Sequence, residues 1–408
     1  MQNWQAMSAR HLPHPQNKKV AKTETSLWTK IKKHKDIFNV FWIFVLWRAV
    51  IELLGLFGTH VFASWSKGSP WDARVTAMTN LWTRWDSGWY LTIIERGYQW
   101  VDPAKAASNV AFFPLYPFLV KIFSFPLESN PFLVGTILSS VFLCAGLIYF
   151  FKLVEIDYKA EGAYRALTLL LVFPLSFFFV TFYTESLFFF VCVASLYHAR
   201  RGQWLAASIF GFLAAFTRLV GVGLFIVLIV EYLQQIGWRI SKIRANIGYP
   251  WLVTLGLFAY MYMLKARFDS SLLFFKVQAA WHRSLQNPWP MLHDYYWPLV
   301  NNIATYSDKL LLAHAFDFFF FVLGVALVVL CFVFLRPSYA LFALFAFVPP
   351  VLTGSLESMG RYMLVIFPFF ILLARFAKWK PFEIFSITIM TPILAYGIWL
   401  FVNWNWVA

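Results

Sequence analysis

Long runs of apolar residues, separated by short polar stretches, dominate the chain. The runs are continuous rather than alternating. That predicts helices and argues against a β-barrel, whose strands alternate apolar and polar positions. Several runs approach or exceed the roughly 20 residues that carry a helix across a bilayer. They fall at 37–57, 131–151, 164–182, from there to 199, 204–216, 219–235, 249–266, 312–335, 339–354, 361–375 and 382–402. The fourth and fifth are short for a full crossing. Two long polar intervals, 58–130 and 267–311, interrupt the series, and residues 1–36 and 403–408 flank it. The pattern predicts an all-α polytopic membrane protein of about 11 transmembrane helices, with one domain over 37–402.

Composition agrees with this pattern. The chain is 60% hydrophobic and 13% charged, against about 25% charged in soluble domains. A net charge of +15 could point to nucleic acid, but topology accounts for it better. With the N-terminus inside, the inner segments collect most of the 34 Lys and Arg residues, as the positive-inside rule requires. Residues 1–36 then form a cytoplasmic basic tail facing anionic lipid heads, both long intervals lie outside, and no nucleic-acid partner is implied. Cys144, Cys192 and Cys331 sit inside apolar runs and show neither a disulfide framework nor zinc-type spacing. No cleavable leader is read at the start, which is polar and basic and precedes a run long enough to stay in the membrane.

In this topology Asp86, Glu95, Glu185, Arg218, Gln278, His282, Arg283, Glu357 and Arg361 all fall on the outer side. Charges grouped at membrane depth have partners or a function. The stretch 84–98 is the densest: Arg84, Trp85, Asp86, Trp89, Tyr90, Glu95 and Arg96. A carboxylate among aromatic rings can be a base beside a sugar platform, or the whole stretch can be an interfacial helix with an aromatic belt. No phosphate-binding glycine loop is present, because Gly221-Val222-Gly223 lies inside an apolar run. A transferase acting outside the cytoplasm needs a donor already carried across, such as a polyprenyl phosphosugar. Arg218, Arg283 and Arg361 can meet its phosphate. Asp86, with Glu185 second, can take the acceptor's proton. Gln278, His282 and Arg283 can line the acceptor side, Glu357 is a further substrate-binding candidate, and Trp85, Trp89, Tyr90 and Tyr116 can lie against sugar rings. Plainer roles stand beside these: an N-cap for Asp86, a span-end residue for Glu185, snorkelling for the arginines and a solvated loop for His282. Arg48 and Glu52, four apart in the first run, read as a structural ion pair. Pro114 and Pro117 are expected to break or kink any helix around them. Nothing demands a metal, although Asp86 with Glu185 can hold a divalent ion.

Four motifs carry a resemblance. They are Arg84-Trp85-Asp86-Ser87-Gly88-Trp89-Tyr90-Leu91 with Arg96-Gly97-Tyr98, then Phe112-Phe113-Pro114-Leu115-Tyr116-Pro117, then Tyr183-Thr184-Glu185-Ser186-Leu187-Phe188, then Thr217-Arg218-Leu219-Val220-Gly221. In this order they resemble the PIG-V family, which comprises the GPI mannosyltransferase adding the second mannose and bacterial relatives, within the GT-C superfamily. The resemblance covers about residues 38–376 and is strongest over 84–222. It implies a GT-C-like fold and inverting transfer from a dolichyl or undecaprenyl phosphosugar to a glycolipid or glycan. It also implies an acidic base in the first outer interval, which Asp86 matches, and a second acidic motif, which Glu185 matches. The chain is shorter than the eukaryotic members and is similar to the bacterial branch. That implies a bacterial plasma membrane, or the endoplasmic reticulum if the source is eukaryotic, with the active site on the extracytoplasmic face.

Two other classes fit the composition. A transporter or flippase of a lipid-linked sugar expects paired repeats, yet residues 205–408 hold no second copy of the Asp86 or Glu185 motifs. A membrane scaffold does not require the outer charges.

Overall fold

The computed structural model describes residues 27–61, 77–125, 130–298, 309–405 and 407. The chain divides into two units between Asn39 and Val40. Most of the expected basic tail and the 299–308 part of the second interval lie outside the described residues. All described regular structure is helical: α1 (Leu27–Val61), α2 (Ala77–Leu81), α3 (Ser87–Arg96), α4 (Leu115–Ser124), α5 (Pro131–Leu171), α6 (Glu185–Arg200), α7 (Trp204–Thr217), α8 (Leu224–Gln235) and α9 (Trp251–Phe268) come first. Lys309–Phe334, Pro337–Val351, Met359–Leu364, Phe367–Phe376 and Lys380–Val402 follow, with short turns between. Among the described residues, five helices are long and apolar enough to cross a membrane, and shorter apolar helices stand between them.

Several expectations change here, each through proline or a turn. The 41 residues of α5 are two helices broken at Lys159, whose φ of 59° turns the chain. The second stops at Leu171 rather than 182, because Pro174 cannot donate to the turn before it. A buried 3₁₀ turn, Ser176–Val180, carries the chain on to α6. The run at 361–375 is likewise two helices, Met359–Leu364 and Phe367–Phe376. Pro368 has no N–H for the carbonyl four residues back, and it stands in the first turn of the second helix, where that lack costs little. Pro114 and Pro117 do the opposite of what was expected: they start α4 rather than break it. First-turn N–H groups have no partner within the helix, so proline costs little there. The described stretch 77–125 of the interval 58–130 is therefore folded rather than a plain loop. At α6 and α7, 16 and 14 residues long, the rise of 1.5 Å per residue gives about 24 and 21 Å, short of the ~30 Å hydrocarbon core.

The bundle forms around α5, α6, α7 and α9, each packed on the next, with Phe367–Phe376 against α5 and Pro337–Val351 against α8. Gly256 lets α9 meet α7 closely, since a Cβ there would lie 2.3 Å from the Phe212 carbonyl oxygen. In α1, Arg48 pairs with Glu52, and Trp82 Nε1 donates to the same carboxylate at 2.9 Å.

Polar residues gather at both ends of α6. At its C-terminal end Arg200 chelates Asp157 at 2.6 and 2.8 Å and donates to the Tyr339 hydroxyl at 2.7 Å. Fully buried Glu231 accepts from Arg336 at 3.0 Å, Gln235 at 2.9 Å and Ser338 at 2.6 Å. The sequence reading missed this cluster, although a lone acid in the apolar run of α8 was a visible signal. It ties α5, α6, α8 and Pro337–Val351 together. Glu231→Ala is expected to destabilise the fold by ~3–5 kcal/mol, as removing one partner of a buried ion pair does. Thermal unfolding in detergent reads this, and a melting temperature equal to wild type would remove the cluster's stabilising role.

Candidate active site

The N-terminal end of α6 gathers the residues singled out by sequence. Trp85 opens the site with φ at 49°, a left-handed geometry unusual for a bulky residue. Arg84, just before it, is buried and donates to the Val402 carbonyl at 3.0 and 3.3 Å. That contact caps the last helix, where a cation is favourable. The Trp85 ring packs edge-on against Trp404. Asp86 then occupies the N-cap position of α3, yet its side chain makes no capping hydrogen bond. Its backbone does the structural work: the carbonyl accepts from Trp89 N–H at 3.0 Å, and its N–H donates to the Tyr183 hydroxyl at 3.1 Å. Tyr183 in turn donates to the Arg84 carbonyl at 2.9 Å, and Phe182 N–H donates to the Trp82 carbonyl at 3.0 Å. The first and third motifs are thus held together, and the Asp86 carboxylate is left for other use.

That carboxylate, 27% exposed, meets Arg361 Nη1 at 2.9 Å. Arg361 Nε also lies 3.4 Å from Glu185 Oε1. The same Glu185 oxygen takes Arg218 Nη2 at 2.5 Å, while Arg218 Nε donates to the Thr184 hydroxyl at 2.8 Å. Glu185 is fully buried, and its Oε2 makes no hydrogen bond among the described residues. The Arg361 guanidinium lies over the rings of Tyr183, Phe178 and Tyr362 at 5.3–6.0 Å, an arrangement that adds to cation binding. Two carboxylates and two guanidiniums thus form a neutral, largely buried quartet drawn from four segments. A chain-borne cation fills the space between Asp86 and Glu185. Among the described residues no group of three or more His, Cys, Asp or Glu side chains is arranged for a metal.

A second layer adjoins the quartet. Arg283 Nη1 donates to the Tyr362 hydroxyl at 3.0 Å, and its Nη2 lies 3.5 Å from Glu357. The Tyr362 oxygen, foremost, and the Glu357 carboxylate raise the pKa of Arg283 against the cost of burial, so it stays protonated. His314, unremarked in the sequence, sits 3.9 Å from Glu357. Tyr90 is buried against Phe112, Tyr116, Phe182 and Tyr183. Burial first, then the Glu185 charge, push its phenol up, so it remains neutral near the quartet. Trp89 contacts Phe112 and Trp281 at ring-centroid distances of 6.0 and 5.8 Å. All three rings are partly exposed.

Other expected site residues lie elsewhere. Tyr116 is fully buried, and its hydroxyl is spent on the Gly135 carbonyl and Ser139, both at 3.0 Å. It pins α4 to α5 and presents no surface to a sugar. Gln278 turns its amide back to the Phe274 carbonyl at 3.3 Å. His282 is exposed on a left-handed turn with φ at 55°. Neither has a described contact with the quartet. The sequence reading missed Thr184, Tyr183 and Tyr362. The first two stood inside a quoted motif, which was the available signal.

Comparison with known proteins gives two findings. Residues 68–247 match the family described as Mannosyltransferase (PIG-V). Among solved structures, the chain is similar to ArnT from Cupriavidus metallidurans bound to undecaprenyl phosphate. Identity is 14% and the TM-score 0.49, over 90% of this chain and 76% of that one. No curated protein matches it. Over residues 68–247, the stretch that carries Asp86, Glu185 and Arg218, the chain matches the PIG-V mannosyltransferases and is on that ground a membrane glycosyltransferase.

Proposed function

We propose that this protein transfers a sugar, mannose in the first instance, from a polyprenyl phosphosugar to a hydroxyl of a glycolipid or glycan at the extracytoplasmic face of the membrane. The observation that carries this reading is the Asp86–Arg361 pair: a part-exposed carboxylate, unused in capping, 2.9 Å from a guanidinium shared with a buried second acid. Dolichyl and undecaprenyl carriers both supply the needed chemistry, an activated anomeric carbon on a phosphate with an apolar tail. ArnT, similar in outline, is described with undecaprenyl phosphate bound.

In the transfer, Asp86 accepts the proton of the acceptor hydroxyl as its oxygen bonds to the anomeric carbon. The bond from that carbon to the phosphate oxygen breaks, and its electron pair stays on the phosphate. One carboxylate acting once as base inverts the anomeric configuration. The charges move together. Asp86 becomes neutral as the proton arrives, which weakens its hold on Arg361. The phosphate gains a negative charge at the same moment, and Arg361 is the cation placed to compensate it. Glu185, fully buried, cannot reach an acceptor without rearrangement; it serves by holding Arg218 and Arg361 in place. Arg283 and Glu357 extend the polar wall.

The Trp89–Phe112–Trp281 cluster stands one helical turn from Asp86 and is suited to the acceptor's sugar ring, because aromatic faces pack against the C–H face of a pyranose. Trp281→Ala is expected to raise the acceptor KM by ~3–10-fold, the scale of one aromatic contact, with donor affinity unchanged. Equal KM values for variant and wild type would remove the platform.

The function itself is tested by incubating purified protein with radiolabelled polyprenyl phosphomannose and membrane glycolipid extract. Label in a new glycolipid supports the reading. Intact donor crossing a vesicle bilayer without cleavage would replace the transferase with a flippase.

A further inference from the structure

We propose that Asp317 is a positioning residue for Arg361: it fixes the turn that places the guanidinium between Asp86 and Glu185. This rests on the reading of Arg361 as the partner of the donor phosphate. Arg361 stands on Met359–Leu364, a helix of only 6 residues. So short a helix has little stability of its own, and its first N–H groups have no partner inside it. Ser358, in the N-cap position, gives no side-chain cap and holds φ at 70°. The Met359 N–H donates locally to the Leu356 carbonyl at 3.0 Å, and a second acceptor comes from a different helix. Asp317, in Lys309–Phe334 and 3% exposed, takes the Met359 N–H on Oδ1 at 3.0 Å.

Two further contacts hold the same turn. Gly360 is pressed against its surroundings: a Cβ there would lie 2.4 Å from Leu175 Cδ1 and 2.7 Å from the Phe320 ring. Just upstream, Leu356 N–H donates to the Tyr296 hydroxyl at 3.2 Å. The chain just before Arg361 is thus held at three positions, Leu356, Met359 and Gly360, before its side chain reaches Asp86 and Glu185. Asp317 stands among Phe316, Phe318, Phe319, Phe320 and Phe321. A carboxylate in such a run is costly to keep, and this one has no described contact with Asp86 or Glu185. Its effect passes through the backbone of the Arg361 turn.

The test uses the full chain in lipid nanodiscs, with Asp317→Ala, Asp317→Asn, Arg361→Ala and the Ala double variant. Two quantities are read: sugar transfer from polyprenyl phosphomannose, and binding of decyl phosphate as the probe for the phosphate site. Asp317→Ala is expected to lose ~10–100-fold in turnover, as when a supporting contact of a reacting group is removed, and to bind decyl phosphate more weakly. Asp317→Asn keeps an acceptor oxygen for the Met359 N–H, and the Oδ2 that it replaces makes no hydrogen bond among the described residues. It is expected to stay within about 3-fold of wild type in both readouts, on the scale of a retained hydrogen bond. In the Arg361→Ala background, Asp317→Ala should add less than about 2-fold, because both act through one group.

Wild-type behaviour of Asp317→Ala, equal losses in Asp317→Asn, or an undiminished effect without Arg361 would each overturn the proposal. If Asp317→Ala fails to fold, Tyr296→Phe frees only the Leu356 N–H; a several-fold turnover loss that vanishes without Arg361 then supports the account, and wild-type turnover overturns it. If wild type binds decyl phosphate but transfers no sugar, the transferase reading fails while the binding series still decides Asp317. If it does neither, Arg361 is not a phosphate partner and the proposal falls with that role.

Discussion

Asp86→Asn is expected to lower sugar transfer by ~10²–10⁴-fold, the contribution of a positioned general base, while the protein folds and still binds donor. Asparagine keeps the size of the side chain and an oxygen for Arg361, but it cannot take the acceptor's proton. Folding should survive because the local structure depends on the Asp86 backbone, which Asn retains. The N–H bonds Tyr183, and the carbonyl accepts from Trp89 and Tyr90. The loss should appear in kcat, with decyl phosphate affinity within about 2-fold of wild type, since a step lost only in the transition state leaves ground-state binding intact. Initial rates with labelled donor, alongside decyl phosphate binding, measure both. Full activity in the variant would remove Asp86 from the chemistry.

Arg361→Ala should be more damaging because it acts on both binding and stability. It takes away the cation shared by Asp86 and Glu185 and leaves two acids with only Arg218, which contacts Glu185 alone. Breaking a buried pair by removing one partner costs ~3–5 kcal/mol. Glu185 bears most of this, since Asp86 is partly open to water. Decyl phosphate affinity is expected to fall at least ~10-fold, within the range for truncating one side of a buried charged contact. Arg361→Lys should fall between the two, because an ammonium cannot contact two carboxylates along a planar fork. Affinity unchanged in Arg361→Ala would place the phosphate elsewhere.

The sequence showed where the site begins but not how it closes. Asp86 and Glu185 stood in recognisable motifs, and the positive-inside count placed them with Arg218 and Arg361 on one side. The pairing of Asp86 with Arg361 spans 275 positions, and no local pattern carries such a contact. The same is true of Tyr183, whose hydroxyl joins two motifs that are 97 residues apart at Asp86. Asp317 and Glu231 were more accessible, since each is a lone acid in an apolar run. Neither lies at a run end, where the site's own charges gather. Proline was misjudged in one direction and underused in another. Pro114, Pro117 and Pro368 fall at helix starts, where a missing N–H is harmless, whereas Pro174 stands just past a helix that hydropathy alone extends. Apolar runs marked helices but not burial, since residues such as Leu46, Leu53, Val329 and Val333 are exposed in the protein, and they did not distinguish a helix from the 3₁₀ turn Ser176–Val180.

The most direct test of the central claim follows the sugar itself. Labelled polyprenyl phosphomannose, acceptor glycolipid and either wild type or Asp86→Asn are combined, and the product's anomeric configuration is read by NMR. The expected result is a new glycosidic bond of configuration opposite to the donor's, formed by wild type and nearly absent with Asp86→Asn. Retained configuration, or equal product from both proteins, would contradict a single displacement with Asp86 as its base.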